Sequence, residues 1–170
     1  MSEGRGVSFV FGPVRPADRE TIARLLANDM RDLGMGKTPE DLLAVADLVL
    51  EDAGRSSYCL VVRPDEQSQP VGILLANVLF SVKLAGKSLW IENLYVDNAW
   101  RRHGLGRTLV EHMLDWAETH NIRGIDLEAY QGNTPAAILY RSLGFERLSR
   151  ERFWFDFAWV DEPVDADDEL

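Results

Sequence analysis

The run Arg101-Arg102-His103-Gly104-Leu105-Gly106 lies between an apolar segment, Ile91-Glu92-Asn93-Leu94-Tyr95-Val96, and an amphipathic stretch that begins at Leu105. Glycines in a strand-to-helix loop let the backbone curl until successive N–H groups point into one concavity. The helix start adds its unpaired N–H groups and the positive end of its dipole. This combination predicts a cradle for an anion the size of a pyrophosphate, with Arg101, Arg102 and Arg107 around it. An ordinary glycine turn before a helix accounts for the glycines alone equally well. Three known phosphate motifs do not fit. A dinucleotide fingerprint needs a third glycine where Leu109 stands. Gly36-Lys37-Thr38 mimics the tail of a nucleotide P-loop, but Arg31 occupies the place of its first glycine. The lysine and His-Arg-Asp partners of a kinase glycine loop are missing.

The elements that must position this loop can be read from periodicity. A first strand is predicted over 7–14, then a helix over 16–33 with Ile22, Leu25, Leu26, Asp29, Met30 and Leu33 at helical spacing. A second helix follows over 39–52, opened by Thr38 and Pro39. Strands are predicted over 58–62, 71–83 and 89–96, with Gly86-Lys87 in a hairpin turn. Beyond the loop come a helix over 105–121, a strand over 122–129 and a helix over 135–142 that stops at Gly144. Residues 145–148 and 151–159 read as a closing pair of strands, the second rich in aromatics (Trp154, Phe155, Phe157, Trp159), for which core or dimer packing is the default reading ahead of substrate stacking. A meander followed by a strand–helix–strand crossover predicts an α/β (α+β) domain: a mixed sheet with helices on both faces.

The segment Arg-x-x-Gly-x-Gly after Leu94-Tyr95-Val96, with Asn133 and the run Ala136-Ala137-Ile138-Leu139-Tyr140-Arg141-Ser142-Leu143-Gly144-Phe145 downstream, resembles the GNAT N-acetyltransferase superfamily. The stretch from Leu74 to Val96 is similar to its polyamine and diamine branch, although Asn93 stands where that branch often has an acid. The resemblance implies a mostly antiparallel sheet of six to seven strands. It implies acetyl-CoA as cosubstrate and a direct transfer to an amine. The backbone N–H groups of Arg102, His103, Gly104, Leu105, Gly106, Arg107 and Thr108 would hold the pyrophosphate, and Arg101 would brace the loop. The backbone of Leu94, Tyr95 and Val96 would pair with the pantetheine arm, with the Leu94 amide on the thioester carbonyl. Asn133 would bond the pantetheine, and Tyr140 would lie near the sulfur and protonate the leaving thiolate.

That chemistry asks for a proton acceptor, since an aliphatic amine with a pKa near ~10 is protonated at neutral pH. Glu92 is the first candidate, although an ion pair or hydrogen bond within the sheet accounts for it as well. Burying an unpaired carboxylate in an apolar strand is costly, so its presence there calls for a reason. Asn133 also fits a helix cap, and Tyr140 also fits plain packing. Asp126 and Glu128 are read as solvent-facing or at the rim. The acceptor wall is expected from residues 28–53, whose acids Asp29, Asp32, Glu40, Asp41 and Asp47 could attract an amine but are read by preference as solvated helix faces. His103, His112 and His120 show no metal-ligand spacing, so no metal is expected.

The chain has 170 residues, 46% hydrophobic and 27% charged, which predicts one domain over 1–160. With 28 acids against 18 bases the net charge is −10, and six of those acids lie in residues 161–170, an expected disordered tail. The body, with 22 acids against 18 bases, lacks the basic face a nucleic-acid binder needs. One cysteine, Cys59, points to a reducing cytoplasm. Residues 1–6 carry no apolar signal region, and no stretch reaches the ~20 apolar residues of a membrane span. The expected acceptor is a small amine of polyamine, amino-acid or aminoglycoside type, or else a protein amine. A homodimer is compatible with the aromatic strand. The alternative activity is that of a non-catalytic CoA-binding regulatory module of the same fold.

Overall fold

The computed structural model describes residues 8–52 and 54–157. Five strands form one sheet in sequence order: β1 (Val10–Gly12), β2 (Ser57–Arg63), β3 (Gly72–Ser81), β4 (Gly86–Val96) and β5 (Ile122–Leu127). The first four pair antiparallel, and β4 pairs parallel with β5. Helices α1 (Arg19–Asp32) and α2 (Leu43–Asp52) precede β2, α3 (Leu105–Thr119) crosses over between β4 and β5, and α4 (Thr134–Ser142) follows β5.

Side-chain alternation splits the core into two layers, as period-two strands covered on both faces require. On one face Val62, Leu74, Ala76, Leu89 and Ile91 pack against Leu105, Leu109, Val110 and Met113 of α3 and against Tyr140 of α4. On the other, Val61, Ile73 and Tyr95 pack against Ile22, Leu25 and Leu26 of α1 and Ala46 of α2. The helix pattern over 16–33 thus matches a 3-10 turn at Pro16–Asp18 continuing into α1. At that junction the buried Asp18 accepts the Arg15 N–H at 2.6 Å and pairs with Arg63 of β2, which is also buried.

One irregularity decides which side chains reach which face. Leu75 pairs with Asn93 and Ala76 with Ile91, so Glu92 is an extra residue with no partner on β3. This β-bulge inverts the alternation. Before it the odd-numbered Leu89 and Ile91 face α3; after it the even-numbered Leu94 and Val96 do, and Tyr95 faces α1.

The sheet is shorter than the six to seven strands expected. Residues 145–157 form no strand, because alternating aromatics favour a strand only where a ladder partner is available. Their attachment is by side chains: Arg152 pairs with Glu128 and stacks 4.5 Å over the Trp90 ring. Trp154, Phe155 and Phe157 are exposed, as is Phe153 beside them, which overturns the core half of the expected core or dimer packing. The hairpin before β4 turns through Ala85, with φ of 50°, and Gly86 already lies in the strand. Residue 7 of the expected first strand, residues 158 and 159 of the expected last one, and the acidic segment 161–170 lie outside the described residues. Among the described residues no helix is long and apolar enough to cross a membrane, and no three His, Cys, Asp or Glu side chains are grouped to hold a metal ion.

Candidate active site

The loop after β4 is built from the chain upward. Asp97 starts a 3-10 turn in which Trp100 N–H bonds the Asp97 carbonyl at 2.8 Å. The backbone then passes through two left-handed residues, Arg102 at φ 70° and Gly104 at φ 76°, before entering α3. Left-handed geometry costs a residue with a Cβ roughly 1–2 kcal/mol, and glycine escapes it. A Cβ built on Gly104 meets nothing within 4 Å, so the space in front of it is open. The first helical bond of α3 runs from Thr108 N–H to the Gly104 carbonyl at 3.0 Å. The N–H groups of Leu105, Gly106 and Arg107 therefore precede the helical ladder and remain available to an anion.

Side chains hold this curl. Arg101 donates its Nε–H to the Val96 carbonyl at 2.8 Å and a second N–H to Asp32 at 2.8 Å, with its guanidinium 5.2 Å from the Tyr95 ring centre. His103 Nδ1 lies 3.0 Å from the Arg101 carbonyl oxygen, and its ring meets Phe9 edge-on. Leu105 is buried in the core, and the Thr108 hydroxyl bonds the Gly104 carbonyl at 3.3 Å. Arg107 reaches Glu111 at 3.4 Å and donates to the Ser142 hydroxyl at 2.5 Å. Arg102 is exposed, and among the described residues no carboxylate pairs with it. A separate cleft of about 320 Å³ lies between α1 and the 97–100 turn. Its carboxylates Asp32 and Asp97 are already paired with Arg101 and Arg24, so it offers little net charge to a ligand.

Beside the cradle the sheet opens. The last pairing between β4 and β5 is Ile91 with Leu127, where β5 ends, while β4 continues to Val96. The β5-facing edge of residues 92–96, which includes Leu94, Tyr95 and Val96, is thus left without a strand partner and leads directly into the cradle. An extended chain with amide groups can add to such an edge.

Four further side chains come from β4 and from the chain after β5. Tyr140 is buried on α4, edge-on to Phe145 at 5.5 Å between ring centres, and burial raises its phenol to about 12, with the charge of Asp29 adding to the effect. Asn133 caps α4, accepting the Ala136 N–H at 3.3 Å. Glu92 is exposed at the bulge, so the expected cost of burying it does not arise. Glu128 is held by Arg152.

Asp29 overturns the expectation of a solvated helix face. It is half-buried and accepts a hydrogen bond from the Asn93 amide at 2.5 Å. Burial, helped by the like charge of Asp32 and opposed by Arg101, pushes its carboxyl up to about 6. The sequence held one signal of this: Asp29 shares helical spacing with Ile22, Leu25 and Leu26. Its partner Asn93 had none, because the bulge that turns Asn93 toward α1 leaves no local mark.

Residues 22–145 match the sequence model of the Acetyltransferase (GNAT) family. The [Ribosomal protein bS18]-alanine N-acetyltransferase of Salmonella typhimurium is 39% identical over 66 residues, 39% of this chain and 45% of that protein. The streptothricin acetyltransferase of Escherichia coli is 33% identical over 96 residues, 54% of this chain and 55% of that protein. The chain spans about half the length of the curated relatives it matches. Among solved structures, one described as a possible acetyltransferase from Clostridium difficile 630 superposes with a TM-score of 0.75 at 23% identity, covering 87% of this chain and 97% of that one; at that identity it shows a shared fold.

Proposed function

The chain belongs to the GNAT acetyltransferase family, and on that premise we propose that it transfers the acetyl group of acetyl-CoA to a primary amine by direct attack in a ternary complex. The observation that carries the reading is the free edge of residues 92–96 running into the left-handed curl at Arg102 and Gly104. An extended pantetheine arm pairs with the backbone of Leu94, Tyr95 and Val96, and the diphosphate rests on the N–H groups from Arg102 to Thr108, with Arg101 holding the loop. Asn133, at the start of α4, bonds the arm from the other side of the opening.

The transfer needs three things. A fixed N–H donor, that of Leu94, stabilises the oxyanion that forms as nitrogen attacks the thioester; one such donor is worth about 3 kcal/mol. The thiolate that leaves needs a proton, and the Tyr140 phenol, raised to about 12, is protonated at any physiological pH. The incoming ammonium must lose a proton to a carboxylate, and the two candidates are Glu92 at the bulge of β4 and Asp29 on α1. The relatives' names support an amine acceptor of either kind, an alanine in a ribosomal protein or a small molecule such as streptothricin.

Titration calorimetry with acetyl-CoA, followed by thiol release in the presence of spermidine, L-lysine, kanamycin and an alanine-initiated peptide, tests the reading. Binding with release of CoA thiol and an acetyl mass increment on one acceptor is expected. Binding without transfer to any amine makes the chain a CoA-binding module, and absence of binding rejects the site.

A further inference from the structure

The proton acceptor can be assigned from the geometry at the bulge. Asn93 is 5% exposed, and one of its amide N–H groups is spent on Asp29 Oδ2 at 2.5 Å. Its own Oδ1 is buried and has no hydrogen-bond partner among the described residues. The second oxygen of Asp29, Oδ1, also has none among the described residues. Two acceptor atoms thus stand together at the α1 side of the sheet, with no donor among the described residues to serve them. A nitrogen bearing several N–H bonds is the kind of group that fills such a pair. Glu92, by contrast, is exposed and no neighbour fixes it in place. Glu128 is committed to Arg152.

We propose that Asp29, positioned by Asn93, is the carboxylate that takes the proton from the acceptor's ammonium, and hence that the amine approaches from the α1 side of the sheet. This rests on the acetyl-transfer reading above. One ammonium proton passes to Asp29 Oδ1. The freed nitrogen pair forms the C–N bond, and the carbonyl π pair moves to oxygen. When it returns, the C–S bond breaks and its pair leaves on sulfur. The surplus nitrogen proton goes to the Tyr140 oxygen as the phenol protonates the thiolate, and Asp29 gives its proton to water. The products are the amide, CoA thiol and one released proton.

The charged and titratable groups facing Asp29 are Asp32 on α1, Arg101 from the loop, Tyr95 on β4 and Tyr140 on α4. Burial, helped by Asp32, pushes its carboxyl up to about 6, so kcat/KM should fall as pH drops through about 6.

The test compares kcat/KM against pH for wild type, Asp29→Asn, Asn93→Ala and Glu92→Gln, using the fastest acceptor of the panel, with acetyl-CoA affinity measured on each. Asp29→Asn keeps the side-chain shape. It is expected to lose roughly 100-fold or more in kcat/KM and to lose the acidic limb, with acetyl-CoA affinity within about twofold. Asn93→Ala removes the donor that favours the ionised carboxylate, so its limb should move to higher pH; a merely structural role would leave the limb in place. An Asp29→Asn enzyme with an unchanged limb overturns the assignment, and loss of the limb in Glu92→Gln alone transfers the role to Glu92. If the wild type neither binds acetyl-CoA nor acetylates any amine, the transfer reading falls and takes this assignment with it. Transfer with an intact Asp29→Asn profile sinks the assignment alone.

Discussion

Arg107 in the first turn of α3 donates to the Ser142 hydroxyl at the end of α4, at 2.5 Å. The helix that carries Tyr140 is thereby tied to the helix whose start forms the cradle. Ser142→Ala removes that tie while leaving both helices their apolar contacts. One hydrogen bond of net worth about 1 kcal/mol corresponds to about fivefold. The expected result is a fall of that size in kcat, with acetyl-CoA affinity little changed, read from steady-state kinetics and calorimetry.

Gly104 sits at φ 76° with open space where a side chain would begin. Gly104→Ala is therefore expected to lose roughly 1–2 kcal/mol to backbone strain alone, visible in urea unfolding without ligand. Gly104→Val projects two further methyl groups into the proposed diphosphate space and should weaken acetyl-CoA binding well beyond the alanine variant. Equal affinities for the two variants would mean that the diphosphate does not lie there.

Tyr140→Phe separates packing from proton transfer. The ring still fills its place against Phe145, so stability should hold, whereas turnover should drop about 100-fold if the phenol supplies the proton. The phenol at about 12 adds no basic limb to the wild-type pH profile below pH 10. Matching kcat values in the two proteins would reduce Tyr140 to a core residue.

Asp18 and Arg63 form a pair in which the side chains are 4% and 1% exposed. Removing one charge strands the other in the core, which typically costs about 3–5 kcal/mol. Asp18→Ala and Arg63→Met should each lower the urea midpoint strongly. The double variant should cost less than the two singles combined, because neither charge is then left alone.

Asp29 makes a prediction about stability that needs no substrate. Its carboxyl moves from an ordinary 3.8 to about 6 on folding, chiefly through burial. The folded state therefore holds this proton more tightly than the unfolded chain. Its stabilising contribution is complete below pH 3.8 and is lost as pH rises through about 6. Asp29→Asn should accordingly be more stable than wild type at pH 8, and the advantage should vanish by pH 3.5. Urea midpoints at the two pH values decide it.

Much of this arrangement was legible beforehand because its signals are local. The strand–glycine–helix order around Gly104 needs only neighbours in sequence, and so do the cap at Asn133 and the spacing of Tyr140 from Ala136. The failures are non-local. Phe153, Phe155 and Phe157 alternate as a strand would, yet a strand exists only when another edge receives it. Asp29 lies on the apolar stripe of α1, a visible anomaly, but its meaning depends on Asn93, 64 residues later.

The extra residue at Glu92 lets the strand's open margin be altered separately from its inward-facing groups. Excision of that position would leave Ile91 opposite Ala76 and bring Asn93 next to it, still opposite Leu75. Downstream side chains would keep their faces, Leu94 and Val96 toward α3 and Tyr95 toward α1, while the local twist that a bulge adds would be lost. A one-codon deletion here would therefore straighten the rim beside the acceptor wall and leave the wall's own residues where they are.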